Sequence, residues 1–199
     1  MAFKVTDFKS NLKGGGARPS LFSVNLSYPT GISKDSLKSE FLIKGTTIPA
    51  STLGTYEIFF NVKGIKVAGD RTFDTWDTII INDEDFGIRH AIENWMELIS
   101  NHKLNTRDTS ITSKLEGENA DYKQTLSVTQ FGKSGKGLRK YDFLGAFPTA
   151  LSTITLDWGT SEIEEYTCTW TYDSWNVGEL STGDVISNAQ NFTGTTTGF

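Results

Sequence analysis

Apolar and polar residues alternate along much of this chain. From Leu21 to Tyr28, Phe22, Val24, Leu26 and Tyr28 take one side, and Ser23, Asn25 and Ser27 the other. That period of two is what a half-buried strand requires. Further strands are predicted at Phe41 to Lys44 and Tyr56 to Val62, separated by a turn around Pro49, and at Thr75 to Ile81. Beyond residue 119, Tyr122, Leu126 and Val128 share a face, followed by strands at Arg139 to Phe147, Thr153 to Trp158 and Ile163 to Trp175. In the last of these, Tyr166, Cys168, Trp170 and Tyr172 alternate with Thr167, Thr169 and Thr171. A threonine face opposite an aromatic one suits a strand whose far side meets water or another chain.

One segment changes period. Apolar residues at 88, 91, 92, 95, 96 and 99 predict an amphipathic helix over about residues 84–100. Asp83, Glu84 and Asp85 stand at its start, where carboxylates are expected to satisfy free N–H groups and favour the helix dipole. With roughly eight strands and one helix, the fold class is mainly β: a barrel or sandwich with one flanking helix.

Both ends read differently from the middle. Residues 1–18 hold few core formers and end in Gly14-Gly15-Gly16-Ala17-Arg18, a hinge. Lys4, Lys9, Lys13 and Arg18 against Asp7 make this arm basic. Residues 179–199 are polar, with Val185, Ile186, Phe192 and Phe199 as the only anchors. The expected organisation is an N-terminal arm (1–18), a β domain (19–178) and a C-terminal extension (179–199), both ends lying on another subunit. Glycine, lysine and serine at 31–39 and a polar stretch at 101–119 are expected loops.

Composition narrows the function. Apolar residues make up 37% of the chain, yet it carries 13 Phe, 6 Tyr and 5 Trp. A few large side chains, each able to bury about 150–250 Å², are therefore expected to build the core. The net charge of −5 argues against a general nucleic-acid binder. The single cysteine, Cys168, rules out an intrachain disulfide or thiolate cluster and is expected to be a small buried hydrophobe. No run of about 18 apolar residues and no N-terminal apolar stretch is present, so a soluble, cytoplasmically made chain without membrane anchor is expected.

Catalytic chemistry is missing from the sequence. His90 and His102 stand twelve residues apart in no metal-ligand spacing, and nothing follows the acidic triplet at 83–85 that would complete a hard-cation loop. Gly132-Lys133-Ser134 ends like a phosphate loop, but Ser127 occupies the position of the required first glycine. No nucleophile elbow occurs. No catalytic, metal or cofactor residue is expected. What remains is a contrast of charge: Lys133, Lys136, Arg139 and Lys140 in one segment, and Asp157, Glu162, Glu164 and Glu165 in another. In a repeating assembly such patches can set register between copies.

Four segments in order carry a family resemblance. They are Gly16-Ala17-Arg18-Pro19-Ser20-Leu21-Phe22, then Val67-Ala68-Gly69-Asp70-Arg71-Thr72-Phe73-Asp74-Thr75-Trp76 with Ile79-Ile80-Ile81-Asn82-Asp83-Glu84, then Gly145-Ala146-Phe147-Pro148 with Leu156-Asp157-Trp158, and the aromatic final strand. Together they resemble the tail tube proteins of contractile-tailed phages. The resemblance implies subunits that close hexameric rings by joining their sheets. The rings stack into a tube inside a sheath, phage DNA passes through without specific binding, and partners include sheath, baseplate and tail-terminator proteins. It implies a place in the virion tail, assembled in the host cytoplasm. The tubes of bacteriocin and secretion-type injection systems share the architecture and form one alternative; a monomeric β-sandwich binding module is another. The longer loops and the extension after Trp175 depart from compact family members. Candidate interface residues are Gly69, Asp70, Arg71 and Thr72, with Lys133, Lys136, Arg139, Glu162 and Glu164. Gly69 is expected to permit a turn, Arg71 to offer its donor fork to a neighbour, and Phe73 and Trp76 to anchor the loop's base.

Overall fold

The computed structural model describes residues 4–12, 16–30, 32, 36–102 and 122–178. Most of the loop expected at 101–119 and all of the extension from 179 lie outside the described residues. Nine strands are described: β1 (Phe22–Asn25), β2 (Ile43–Thr46), β3 (Thr52–Phe60), β4 (Lys63–Thr72), β5 (Trp76–Ile81), β6 (Gln124–Phe131), β7 (Gly137–Leu151), β8 (Glu165–Thr171) and β9 (Ser174–Gly178). Three helices accompany them: α1 (Val5–Asn11), α2 (Ser36–Leu42) and α3 (Gly87–Ile99).

The 15-residue β7 organises the sheet. Its first two-thirds pair with β6 on one side and β9 on the other, and β1 adds outside β6. Its last residues pair with β8, which carries β5 and then β2. The register linking Leu144 to Ser174 is the same one that links Phe147 to Thr171. β8 and β9 therefore run along β7 as one long ribbon, bent once. The bend falls at Gly145, whose φ of 67° is left-handed and suits glycine. Across from it, the Asp173 amide donates to Leu144 O at 3.0 Å, and the Asp173 carboxylate accepts from Lys123 Nζ at 2.7 and 2.9 Å.

This bend lets the two halves of the sheet face one another as an open sandwich, not a closed barrel. Trp76 stacks on Phe143 at 4.3 Å between ring centres, and Phe143 meets the Tyr172 ring at 5.0 Å. Helix α3 supplies Ile88, Ala91, Ile92 and Trp95 to the same core, as its spacing predicts. Every buried tryptophan N–H is satisfied: Trp76 donates to Thr47 O, Trp95 to Tyr122 O and Trp170 to Thr78 Oγ1. The expected aromatic core is present, and Tyr166, Cys168, Trp170 and Tyr172 are all buried.

Several expectations are corrected. The fold has three helices among the described residues, not one. Residues 36–42 form α2, which takes in part of the expected loop and of the strand expected from Phe41; β2 begins only at Ile43. Thr153 to Trp158 alternates in polarity but pairs with no strand among the described residues, and Leu156 and Trp158 are exposed. The strand expected over 163–175 is broken by the bend into β8 and β9. Helix α3 starts after the acidic triplet: its N-cap is Phe86, at φ 52°, and no acid lies in the first turn. The triplet instead forms the preceding turn, with Phe86 N donating to Asp83 O at 2.8 Å and Glu84 N to Asp83 Oδ1 at 2.9 Å.

Candidate assembly surfaces

The segment of densest resemblance, Val67 to Trp76, lies not in a loop but mostly in β4 of the β3–β4 hairpin. The hairpin forms a two-stranded sheet of its own, and its tip is the two-residue turn Asn61-Val62, with Asn61 at φ 54°. Asparagine tolerates that left-handed region better than most residues. The register sets Tyr56 opposite Val67 and Ile58 opposite Ile65, so all four share one face. That face is bare: Tyr56 and Ile58 are each 58% exposed, Ile65 52% and Val67 43%. Phe59, on the other face, and Val62 at the tip are exposed as well. A lone two-stranded ribbon with an uncovered apolar face is marginal in water.

The register also explains Gly69 and Asp70. Leu53 pairs with Arg71 but Thr55 with Ala68, so β4 carries one extra residue there, a β-bulge. The bulge turns Asp70 to the side of Tyr56, whose hydroxyl donates to Asp70 Oδ2 at 3.1 Å. Gly69 is not needed for a turn, as the sequence suggested. A Cβ there would lie 2.6 Å from Tyr56 Cε2, so glycine makes room for the tyrosine ring across the strand. Arg71 and Thr72 are exposed beyond the bulge. Phe73 packs toward the Tyr172 ring at 6.1 Å and Trp76 is buried, so the hairpin's base is anchored as expected.

The charged candidates fall in two groups, one at each end of β7. Lys133 and Lys136 are exposed in the turn between β6 and β7, and Arg139 lies in the first residues of β7, its guanidinium 5.4 Å from the Tyr141 ring centre. Glu162 and Glu164 lie in the loop 152–164 that leaves the other end of β7. Strand rise of about 3.3 Å per residue separates the ends of β7 by up to ~45 Å, less what the bend takes up. Glu164 is held by Asn82, and Glu165 by Lys44, while Glu162 is exposed. In the basic stretch Lys140 faces Asp142 at 3.7 Å. The charge contrast is thus placed at two opposite ends of one strand.

Reactive groups are few. Cys168 is buried, and burial, with Asp77 adding to it, pushes its thiol well above the ordinary range. Burial does the same to the Tyr166 phenol, with Cys168 contributing next. His90 and His102 are both exposed. Among the described residues no three His, Cys, Asp or Glu side chains are grouped as metal ligands, and no helix is long and apolar enough to cross a membrane.

An open β-sandwich whose outer strands have no strand partner among the described residues, with a separate hairpin exposing an apolar face, is the class of fold this chain defines. The residues 17–178 match the family model of the phage tail tube protein, and the chain belongs to that family. It is 31% identical over 164 residues to the tail tube protein gp19 of Enterobacteria phage T4, covering 81% of this chain and 92% of that one. Among solved structures, its fold is similar to one in the tube-terminating cap of the anti-feeding prophage, with a TM-score of 0.59 at 16% identity over 82% of this chain and 91% of the other. It is also similar to a chain of the sheath–tube complex of an extracellular contractile injection system, with a TM-score of 0.55 at 13% identity over 89% and 99%. The chain is therefore a tail tube subunit, a structural protein and not an enzyme.

Proposed function

We propose that copies of this chain close hexameric rings that stack into the hollow tube of a contractile phage tail, inside a sheath, and that the tube conducts DNA. The observation that carries the reading is the bare apolar face of the β3–β4 hairpin, which a neighbouring copy covers. Outer edges of β1, β2 and β9 have no strand partner among the described residues, and joining sheets between copies removes such edges. The basic and acidic ends of β7 suit head-to-tail repetition, in which one copy's basic turn meets the next copy's acidic loop. Gly69, Asp70, Arg71 and Thr72 lie in the ring contact, with Lys133, Lys136 and Arg139 facing Glu162 and Glu164 along the axis. Identity of 31% to the tail tube protein of a phage supports the virion tail. Sheath, baseplate and terminator proteins are the expected partners, and the net charge of −5 suits DNA passage without tight binding.

The test is assembly. Purified protein is expected to give rings and tubes by negative-stain microscopy and sedimentation. Val67→Lys, which puts a charge on the hairpin's apolar face, should abolish tubes, and Arg71→Ala should raise the concentration needed to form them. Both should leave the melting of the soluble subunit within about 0.5 kcal/mol of wild type, because both sites are exposed. A 22 kDa monomer at every concentration would overturn the proposal and favour a monomeric binding module.

A further inference from the structure

The longest strand edges left bare among the described residues belong to the β3–β4 hairpin, nine residues on β3 and ten on β4. The two edges are not alike. β4 carries Lys63, Lys66 and Arg71, all exposed, and the bulge at Gly69-Asp70; charge and bulge both keep an edge strand from pairing. From Thr52 to Phe60, β3 holds no lysine, arginine or proline, and the extra residue of the bulge is not on it. Its one charged residue, Glu57, leans away from the free side: the carboxylate lies across β4, in the space a Cβ on Gly64 would fill. A two-residue turn closes on a hydrogen-bonded pair, here Phe60 with Lys63, and bonding alternates from there. Thr55, Glu57 and Phe59 therefore turn their N–H and C=O groups outward.

The short edges of the main sheet divide in the same way. β2 bears Lys44 and a bulge, and α2 packs against β1, where the Leu26 amide donates to Ser39 Oγ at 3.5 Å. β9 pairs with β7 in unbroken register and carries neither charge nor proline. The Trp175 indole donates to Ala50 O at 3.2 Å, a contact made from the face of β9 and not from its edge. The two unguarded strands also match in pattern. Thr55-Tyr56-Glu57-Ile58 and Ser174-Trp175-Asn176-Val177 each alternate polar with apolar, and Val177, like Tyr56 and Ile58, is exposed.

We infer that β3 of one copy pairs along the free edge of β9 of a second copy. Tyr56 and Ile58 then lie beside Trp175 and Val177 on one face, and Thr55 and Glu57 beside Ser174 and Asn176 on the other. A second copy is the occupant because the chain's own β3 and β9 lie in separate sheets, and because bare backbone of this length is complemented by another strand edge. The contact is heterologous, so each copy lends β3 and receives a strand at β9. This rests on the self-assembly proposed above and names the two edges that join.

Hydrogen exchange on the full chain tests it. The amides of Thr55, Glu57 and Phe59 should exchange fast in the soluble subunit and lose that exchange in tubes, while Gly64 and Lys66, which face outward on β4, stay fast. Glu57→Pro removes an outward N–H and none that bonds β4, so it should abolish tubes and leave the melting of the soluble subunit near wild type. Cross-linking keeps the test should that proline unfold the hairpin. Under mild oxidation, Val177→Cys mixed with Tyr56→Cys should give a covalent dimer if the strands run antiparallel, and mixed with Ile58→Cys if they run parallel; native Cys168 is buried. Tubes whose β3 amides stay fast and that give neither cross-link overturn the edge pairing and leave the assembly reading standing. Protection of Gly64 and Lys66 instead overturns the choice of β3, and dimers of Val177→Cys alone overturn its pairing with β9. A double variant that closes on itself at high dilution overturns the second-copy occupant. Protein that neither assembles nor cross-links overturns both readings.

Discussion

Gly145→Ala probes the bend on which the open sandwich depends. Gly145 holds φ 67°, where an L residue costs about 1–2 kcal/mol. The added Cβ would also stand 2.2 Å from Asp173 Oδ2 and 2.9 Å from Asp173 Cγ. The carboxylate must then swing away and release Lys123, now 2.7 Å from it. Since the Asp173 side chain is 59% exposed, that ion pair is worth at most about 1 kcal/mol. The expected loss is about 1–3 kcal/mol in all. With a urea slope of about 2 kcal/mol/M, the unfolding midpoint should fall by about 0.5–1.5 M. Tryptophan fluorescence on the monomer reads it. In an Asp173→Ala background the obstacle and the ion pair are already gone, so Gly145→Ala should cost only the left-handed part, about 1–2 kcal/mol. Equal costs in the two backgrounds would refute the steric account. A loss below about 0.5 kcal/mol in both would refute the bend itself as a strained corner.

Trp95→Ala should destabilise the subunit by about 3–5 kcal/mol, because it empties a fully buried site between Tyr28 and Trp170. Trp95→Phe should cost about 1–3 kcal/mol, since it leaves Tyr122 O without the Nε1 donor; a neutral result in urea unfolding would contradict that bond. The Cys168 thiol should resist a thiol reagent at pH 8 until urea unfolds the chain, and fast labelling of folded protein would show that β8 opens. Because burial raises the Cys168 and Tyr166 ionisations in the folded state, their stabilisation is fully present below the unfolded values of 9.0 and 10.0 and declines as pH rises beyond them. Unfolding free energy should therefore fall above about pH 9, and Cys168→Ala should remove the earliest part of that slope.

The sequence was most legible where one element buries one face. β8 alternates cleanly because β5 and β7 flank it and the aromatic face meets the core; α3 keeps its period because a single stripe packs on the sandwich. It misled where most of an apolar pattern has no core to face. Ile154, Leu156 and Trp158 alternate as in a strand, yet only Ile154 packs on the core and no described strand pairs with them. Phe41-Leu42-Ile43 is a short apolar run that fits a helix end as well as a strand, and the helix wins through Leu42. In the hairpin, both faces carry large apolar residues, so alternation could not separate buried from exposed positions, and the bulge at Gly69-Asp70 looked like a turn. For α1, the spacing of Val5, Phe8 and Leu12 was available, but seven residues beside a glycine hinge fall below the length at which a helix stands on propensity.

The pairing of β1 with β6 has a consequence in time. Asn25 bonds across from Ser127 and Phe22 across from Gln130, so about a hundred residues separate the partners. At about 5–20 residues per second of synthesis, β1 leaves the ribosome roughly 5–20 s before its partner exists. During that interval the apolar side of Val24, Leu26 and Tyr28 has no sheet to cover it. The β6–β7 hairpin, closed by the turn at 132–136, can form as soon as it emerges, whereas β1 bears the largest loop-closure cost among the described strand pairs. The first strand made is thus the one that waits longest for its partner, and a chain released before residue 131 leaves β1 as an open edge in a cell full of identical edges.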